Sequence, residues 1–199
     1  MMNVIPLYNR QAFWSWTRAT WVGWVLGVPC VVVLALLGEA LGIGGVQVLV
    51  GAGMGTGLGF MQSRALRGVL PKPRLWFWSC AFGLALPFLA FDLAKAAEWK
   101  ITYSLYVCVV LGGLIVGIWQ ALILRTRFHN TVWWAIASVV GWSATSGMAA
   151  LSESLSRSHS LRGLGGALAY LGIIASGGLI LGLITGVPRV WLLRHKPAS

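Results

Sequence analysis

Two glutamines interrupt long apolar stretches of this sequence, and their side chains are the first candidates for chemistry. Gln62 and Gln120 each follow Gly-x3-Gly-x2 and precede x3-Leu-Arg, and Thr185 takes the glutamine position in a third, partial copy. Burying an amide in an apolar environment costs roughly 2 to 7 kcal/mol of free energy unless the amide is hydrogen-bonded. The three side chains are therefore predicted either to converge on a ligand headgroup or to hold neighbouring helices together by hydrogen bonds. Both alternatives remain open at this point.

Other reactive side chains are not grouped in a way that predicts catalysis. The histidines fall in loops or tails, and no His, Cys and carboxylate set has the spacing of a metal site. Ser146 has no histidine in the same apolar stretch to act as its base. The cysteines are widely spaced and predicted to be small buried side chains. We therefore expect no catalytic residue, no metal and no cofactor, and a protein that is not an enzyme.

The glutamine motif belongs to an internal repeat. A shift of 58 residues superimposes seven positions, pairing Gly113, Gly117, Gln120, Leu124, Arg125, Trp134 and Gly141 with Gly55, Gly59, Gln62, Leu66, Arg67, Trp76 and Gly83. Half-copies at either side add Trp16 and Gly23, and Gly178 and Gly182. The pattern predicts three copies of a two-helix unit, at about 13-72, 73-130 and 131-194, each with a Trp/Gly helix followed by a Gly-x3-Gly helix.

Composition indicates an integral membrane protein. Of the 199 residues 58% are hydrophobic and only 10% are charged, and the mean hydropathy is +0.80. Stretches long enough to span a bilayer are predicted at 21-37, 46-61, 75-91, 101-124, 132-151 and 164-188. Residues 1-12 are predicted to form an interfacial segment, and 1-199 a single membrane domain. Because each unit has two spans, the units share one direction, so the predicted fold is an all-α membrane protein of six transmembrane helices, in three tandem parallel repeats with pseudo-threefold symmetry about the membrane normal.

The distribution of charge predicts the orientation. Eleven of the 15 Lys and Arg residues fall at the two ends of the chain or in the second and fourth loops, whereas all four acidic residues fall on the other side. By the positive-inside rule, both termini are cytoplasmic, in a bacterial inner membrane. The net charge of +11 then reflects topology and affinity for anionic headgroups, and we expect no nucleic acid partner.

Six basic residues crowd the predicted cytoplasmic mouth. They are expected either to bind a lipid phosphate or an acidic partner subunit, or to act only as topology determinants. These residues are Arg64, Arg67, Lys72, Arg74, Arg125 and Arg127.

Tryptophan and glycine complete the pattern. Most of the 12 tryptophans are predicted to anchor the chain at the membrane interface. The alternative for Trp16, Trp76 and Trp134 is a stacking site for a flat ligand. Ten glycines are predicted to form helix-packing faces: Gly23, Gly27, Gly55, Gly59, Gly83, Gly113, Gly117, Gly141, Gly178 and Gly182.

Two resemblances follow from these motifs. Gly-x3-Gly-x2-Gln-x3-Leu-Arg, a basic turn and Trp-x2-Ala/Ser-x3-Gly together resemble a group of uncharacterised bacterial six-span membrane proteins, over most of the chain, which implies no particular activity. In size, span count and the Ala19-x3-Gly23-x3-Gly27 stripe, the chain is also similar to the S components of energy-coupling-factor vitamin transporters. That second resemblance implies that the stripe meets a coupling subunit and that the ligand is a vitamin or another flat, hydrophobic molecule.

Together these observations predict a non-catalytic accessory or scaffold subunit of the inner membrane. It would contact membrane lipids and other membrane subunits or copies of itself. The alternative is a small-molecule binding or transport component that uses the level of Gln62, Gln120 and Thr185. A cavity at that depth would favour the alternative, and side chains filling the axis would argue against it.

Overall fold

Six α-helices make up the described part of a computed structural model, which covers residues 5-99, 105-157 and 163-194. Side chains are described for 10-99, 105-148, 165-166 and 171-193. Residues 1-4 of the predicted interfacial segment and residues 101-104 of the predicted span 101-124 lie outside these ranges. The helices are α1 (Ile5–Ala40), α2 (Val48–Ala65), α3 (Pro73–Ala96), α4 (Leu105–Leu124), α5 (Val132–Arg157) and α6 (Gly163–Arg194).

The helices close into a ring. Each packs against the helix before it and the helix after it, and α6 also packs against α1. This arrangement confirms the all-α prediction. Four segments are long and apolar enough to cross a membrane: Arg10–Ala40, Pro73–Ala96, Leu105–Leu124 and Leu171–Leu193. The chain therefore has the helices of a membrane protein.

Helices α2 and α5 are less apolar than the other four, for identifiable reasons. Five glycines alternate along α2 from Gly51 to Gly59, and all five are buried. Serine and threonine are spread through α5, where Ser138, Thr145 and Ser146 are buried and donate hydrogen bonds to backbone carbonyls. Small residues that face other helices, together with Gln62 and Arg64 on α2, thus lower the hydropathy of these two helices.

The first helix differs from the boundaries predicted for it. α1 runs without a break from Ile5 through Pro29 to Ala40, whereas the sequence predicts an interfacial segment at 1-12 and a span from 21. Polar residues between these segments make that part of the chain look like a boundary. In the structure Thr17 and Thr20 face inward, with 1% and 0% of their surface exposed, so the helix continues through them.

The glycine faces are occupied by neighbouring helices of the same ring. A methyl group added to any of the ten glycines predicted at packing faces would lie 3.0 Å or less from an atom of an adjacent helix. At Gly55 on α2 the methyl would lie 2.7 Å from Cα of Ala81 on α3. Gly23 and Gly27 approach α2 in the same way, so the stripe compared above with S components is covered by this chain itself.

A carboxylate fixes the start of α2. Asp92, near the end of α3, accepts hydrogen bonds from the backbone N–H groups of Gln47 (2.9 Å) and Val48 (2.7 Å). The first N–H groups of a helix lack partners within the helix, and negative charge is favoured there. This contact ties the ends of α2 and α3 together, opposite the loops at 66-72 and 125-131. The end of the ring that contains those two loops is called the basic end below.

Candidate functional site

Three tryptophans meet at the centre of the ring, toward its basic end. The rings of Trp16, Trp76 and Trp134 lie with centroids 5.2 to 5.9 Å apart and planes inclined by 71 to 87°, so each ring meets the other two edge to face. Their exposed fractions are 0%, 0% and 2%. Edge-to-face pairs contribute about 0.5 to 1.5 kcal/mol beyond the buried area. We call these three residues the tryptophan triad.

Each indole of the triad donates a hydrogen bond to the polar position that the repeat singles out. Trp76 Nε1 donates to Gln62 Oε1, and Trp134 Nε1 donates to Gln120 Oε1, both at 2.9 Å. Trp16 Nε1 donates to Thr185 Oγ1 at the same distance. Gln62, Gln120 and Thr185 therefore surround the triad at one level, and their oxygen atoms accept from tryptophan.

The remaining amide atoms bond to a second polar layer, one helical turn after the triad. Gln62 Nε2 donates to Thr20 Oγ1 at 3.1 Å, and Gln120 Nε2 lies 3.2 Å from Cys80 Sγ. The Cys80 thiol also lies 3.7 Å from Gln62 Oε1. Thus both glutamines are bonded on both sides by other helices of the chain. The arrangement holds helices together and leaves these amides engaged within the protein.

A small cavity of about 10 Å³ borders the triad toward the basic end. This volume corresponds to about one water molecule. The wall is apolar apart from one arginine. It is formed by Leu66, Val69, Trp76, Leu124, Phe128, Trp134, Arg189, Leu192 and Leu193. A flat ligand of vitamin size does not fit in this space.

Arg189 is a residue whose position the sequence predictions miss, because it is counted there only as one of the basic residues near the end of the chain. Only 7% of its surface is exposed, and its guanidinium lies 5.2 Å from the centre of the Trp16 ring. It donates to the carbonyl of Ala12, to Ser15 Oγ at 3.3 Å and to the carbonyl of Ala65 at 3.2 Å. Arg189 thus joins α6 to both α1 and α2.

The repeat contains a signal for this residue. Arg189 follows Thr185 by four positions, as Leu66 follows Gln62 and Leu124 follows Gln120. Both leucines are buried, at 3% and 4% exposure. An arginine at a position occupied elsewhere by buried leucine is therefore expected to face inward. Helices α6 and α1 are not consecutive in the chain, and the arginine bonds occur at that junction.

The six predicted basic residues behave differently from Arg189. Arg64, Arg67, Lys72, Arg74, Arg125 and Arg127 are all exposed at the basic end. The Arg64 guanidinium lies 5.6 Å from the centre of the Phe60 ring. These side chains form a positively charged rim around the ring, and they do not enter the centre. The rim can attract phosphate or carboxylate groups.

Three other tryptophans near the basic end are more exposed than those of the triad. Trp14, Trp78 and Trp133 are 44%, 47% and 55% exposed, so they lie on the outer surface, as interfacial anchors do. Among the residues that the structure describes, no group of three or more His, Cys, Asp or Glu side chains comes together. The conspicuous chemistry of the centre is thus aromatic packing and amide hydrogen bonding.

Comparisons with protein-family models, curated proteins and solved structures give no match.

Proposed function

We propose that this protein is a non-catalytic accessory or scaffold subunit of a bacterial inner membrane, with no conduction path through its ring. All six helices cross the bilayer as three parallel hairpins about a pseudo-threefold axis along the membrane normal. The basic end is cytoplasmic by the positive-inside rule. Three equivalent Trp hydrogen bonds, from Trp16, Trp76 and Trp134, support this symmetry.

The tryptophan triad is the observation that carries the proposal. A transport route or binding chamber on the axis needs open space and polar groups available to a solute. Here the axis is filled by three indoles, and the amides around them bond to Trp76, Trp134, Thr20 and Cys80. The chain therefore presents its outer face and its basic rim to the surroundings.

The outer face determines which partners are proposed. The packing glycines are covered within the ring, so a partner would meet large apolar side chains and the exposed cations of the basic rim. Membrane lipids with anionic headgroups and the apolar helices of another membrane subunit, or of a second copy, match those two features.

Purification in mild detergent tests this proposal. Particle mass and the identity of every co-purifying protein and lipid would be measured on the full chain. A complex with a defined subunit, or with retained anionic lipid, would support the proposal. A bare monomer that retains neither would contradict it.

A flux assay separates the proposed function from the small-molecule alternative. The protein would be reconstituted in sealed vesicles that contain a panel of vitamins and other small solutes, with empty vesicles as control. We expect no difference in uptake or release, because movement along the axis would require the triad to separate. Protein-dependent flux of any solute would favour the alternative based on Gln62, Gln120 and Thr185.

A further inference from the structure

The outer faces of α3 and α4 form two adjacent apolar ridges. On α3, every third or fourth residue from Leu75 to Leu93 is exposed by 39% to 61%, and on α4 the same spacing holds from Val107 to Leu122, with 39% to 53% exposed. Residues at this spacing lie on one face of a helix. Both faces point away from the ring.

The two ridges run side by side in opposite directions. Gln120 on α4 contacts Cys80 on α3, and an added methyl on Gly112 would lie 3.3 Å from Cα of Leu84. Sequence numbers thus rise along α3 as they fall along α4. Trp76 and Leu124 border the same cavity, which places the start of α3 beside the end of α4.

Each ridge ends in an exposed arginine at the basic end. Arg74 precedes Trp78 by four residues, so it continues the α3 ridge. Arg125 follows Leu122 by three residues, and its backbone N–H still bonds to the carbonyl of Ala121 at 3.0 Å, so it continues the last turn of α4. The described acidic side chains Glu39, Asp92 and Glu98 all lie toward the opposite end of the ring.

An aromatic surface lies directly beyond Arg74. The rings of Trp78 and Phe82 are stacked, with centroids 5.1 Å apart and planes inclined by 15°. Both side chains are about half exposed. From Arg74 to Leu86 the ridge is roughly 18 Å long at 1.5 Å per residue, close to the ~15 Å of one leaflet's hydrocarbon layer.

From this arrangement we infer that the α3–α4 face binds one anionic glycerophospholipid, whose phosphate bridges Arg74 and Arg125 and whose two acyl chains follow the two ridges. Guanidinium groups bind phosphate oxygens through charge-assisted hydrogen bonds, and the ridges supply apolar contact for the chains. The inference rests on the proposed orientation in a bilayer. It names one lipid site within the general lipid contact proposed above.

Arg64 provides a matched control. It is also an exposed arginine of the basic end, but its guanidinium lies over Phe60. Phe60 is the exposed large hydrophobic residue described on α2, most of whose remaining length is covered by α1 and α3. A headgroup at Arg64 would therefore lack a pair of ridges for its chains.

Native mass spectrometry of the full-length, detergent-purified protein tests the site. Phosphatidylglycerol and phosphatidylcholine with identical chains would be added in turn. We expect one phosphatidylglycerol retained in preference to phosphatidylcholine and a roughly thirtyfold weaker retention in the R74Q/R125Q double variant. The factor corresponds to two cations that each contribute about 1 kcal/mol of attraction to the headgroup at the membrane surface. R64Q removes one charge of the same rim without removing the site, so its loss should be at most about fivefold. R74K/R125K should retain the lipid better than the glutamine variant.

Three results would each overturn the inference: equal retention of the two lipids by the wild type, undiminished phosphatidylglycerol on R74Q/R125Q, or an equal loss on R64Q. Unchanged particle size and tryptophan emission would show that the variants are folded. The results that would reject the lipid site differ from those that would reject the scaffold proposal. A non-conducting complex without lipid preference would reject only the lipid site, whereas solute flux with the preference intact would reject only the scaffold role.

Discussion

Replacing Gly55 by alanine tests how closely the ring is packed. The new methyl group would lie 2.7 Å from Cα of Ala81 and closer still to the carbonyl oxygen of Cys80. Ordinary carbon contacts lie at about 3.5 to 4.0 Å. Both obstacles belong to the α3 backbone and cannot rotate away, so α2 and α3 must separate.

The size of the effect follows from that separation. A shift of about 1 Å between two packed surfaces loses a quarter to a half of the dispersion energy of each contact across it. Overpacking of this kind costs about 1 to 3 kcal/mol. Alanine is favoured over glycine in a helix by about 1 kcal/mol, which offsets part of the loss. We expect G55A to lower the free energy of unfolding by up to about 2 kcal/mol.

Gly147 supplies the control for this measurement. It is an exposed helical glycine of α5, and an added methyl would meet no atom of the described residues within 4 Å. G147A should therefore be neutral or stabilising by up to about 1 kcal/mol. Unfolding would be followed by tryptophan emission as dodecyl sulfate replaces a mild detergent. If G55A and G147A unfold at the same dodecyl sulfate fraction, the close approach of α2 and α3 is refuted.

Three further substitutions probe other contacts by the same unfolding assay. W134F removes the donor to Gln120 and part of the triad's volume, and should lower the free energy of unfolding by about 1 to 2 kcal/mol. W133F, at an exposed neighbouring position, should change it by less than about 0.5 kcal/mol. Equal effects of the two substitutions would contradict a buried triad. R189A should lower the free energy of unfolding by about 2 to 3 kcal/mol, because three hydrogen bonds from a charged group are lost. R189L introduces the residue type found at Leu66 and Leu124 and should recover part of this loss. An R189A variant as stable as R127A would show that the arginine does not join the helices. D92N should lower the free energy of unfolding by about 1 kcal/mol and speed hydrogen exchange at the Gln47 and Val48 amides. K95Q should leave both amides protected. Unchanged exchange in D92N would refute the hydrogen bonds from these amides to Asp92.

The repeat predicts much of what positions the centre. Matching Gln62 with Gln120 and Trp76 with Trp134 identifies the residues that meet there, because positions matched by the predicted repeat are expected to face the same way. What the match cannot give is the partner of each side chain. A polar residue beside Gly-x3-Gly suits both an interhelical bond and a ligand contact, and only the position of the indole N–H groups distinguishes them.

The tryptophans show the limit of composition. A tryptophan near a span end is usually an interfacial anchor, and Trp133 and Trp134 are adjacent in sequence. The structure exposes Trp133 by 55% and buries Trp134 to 2%. Only membership in the repeat separates the two, since Trp134 shares its position with Trp16 and Trp76. Arg189 was predictable in the same way, from the two leucines in its register.

Closure of the ring between α6 and α1 has a consequence for biosynthesis. The indole of Trp16 cannot form its hydrogen bond until Thr185 is present, and Thr185 is translated 169 residues later. At about 5 to 20 residues per second, that interval lasts roughly 10 to 30 s. Until α6 packs against α1, Trp16 lacks its partner Thr185 and the face of α1 that contacts α6 is uncovered, which leaves the chain open to quality-control proteases. Nascent chains truncated before the last helix are therefore expected to be degraded faster than the finished protein.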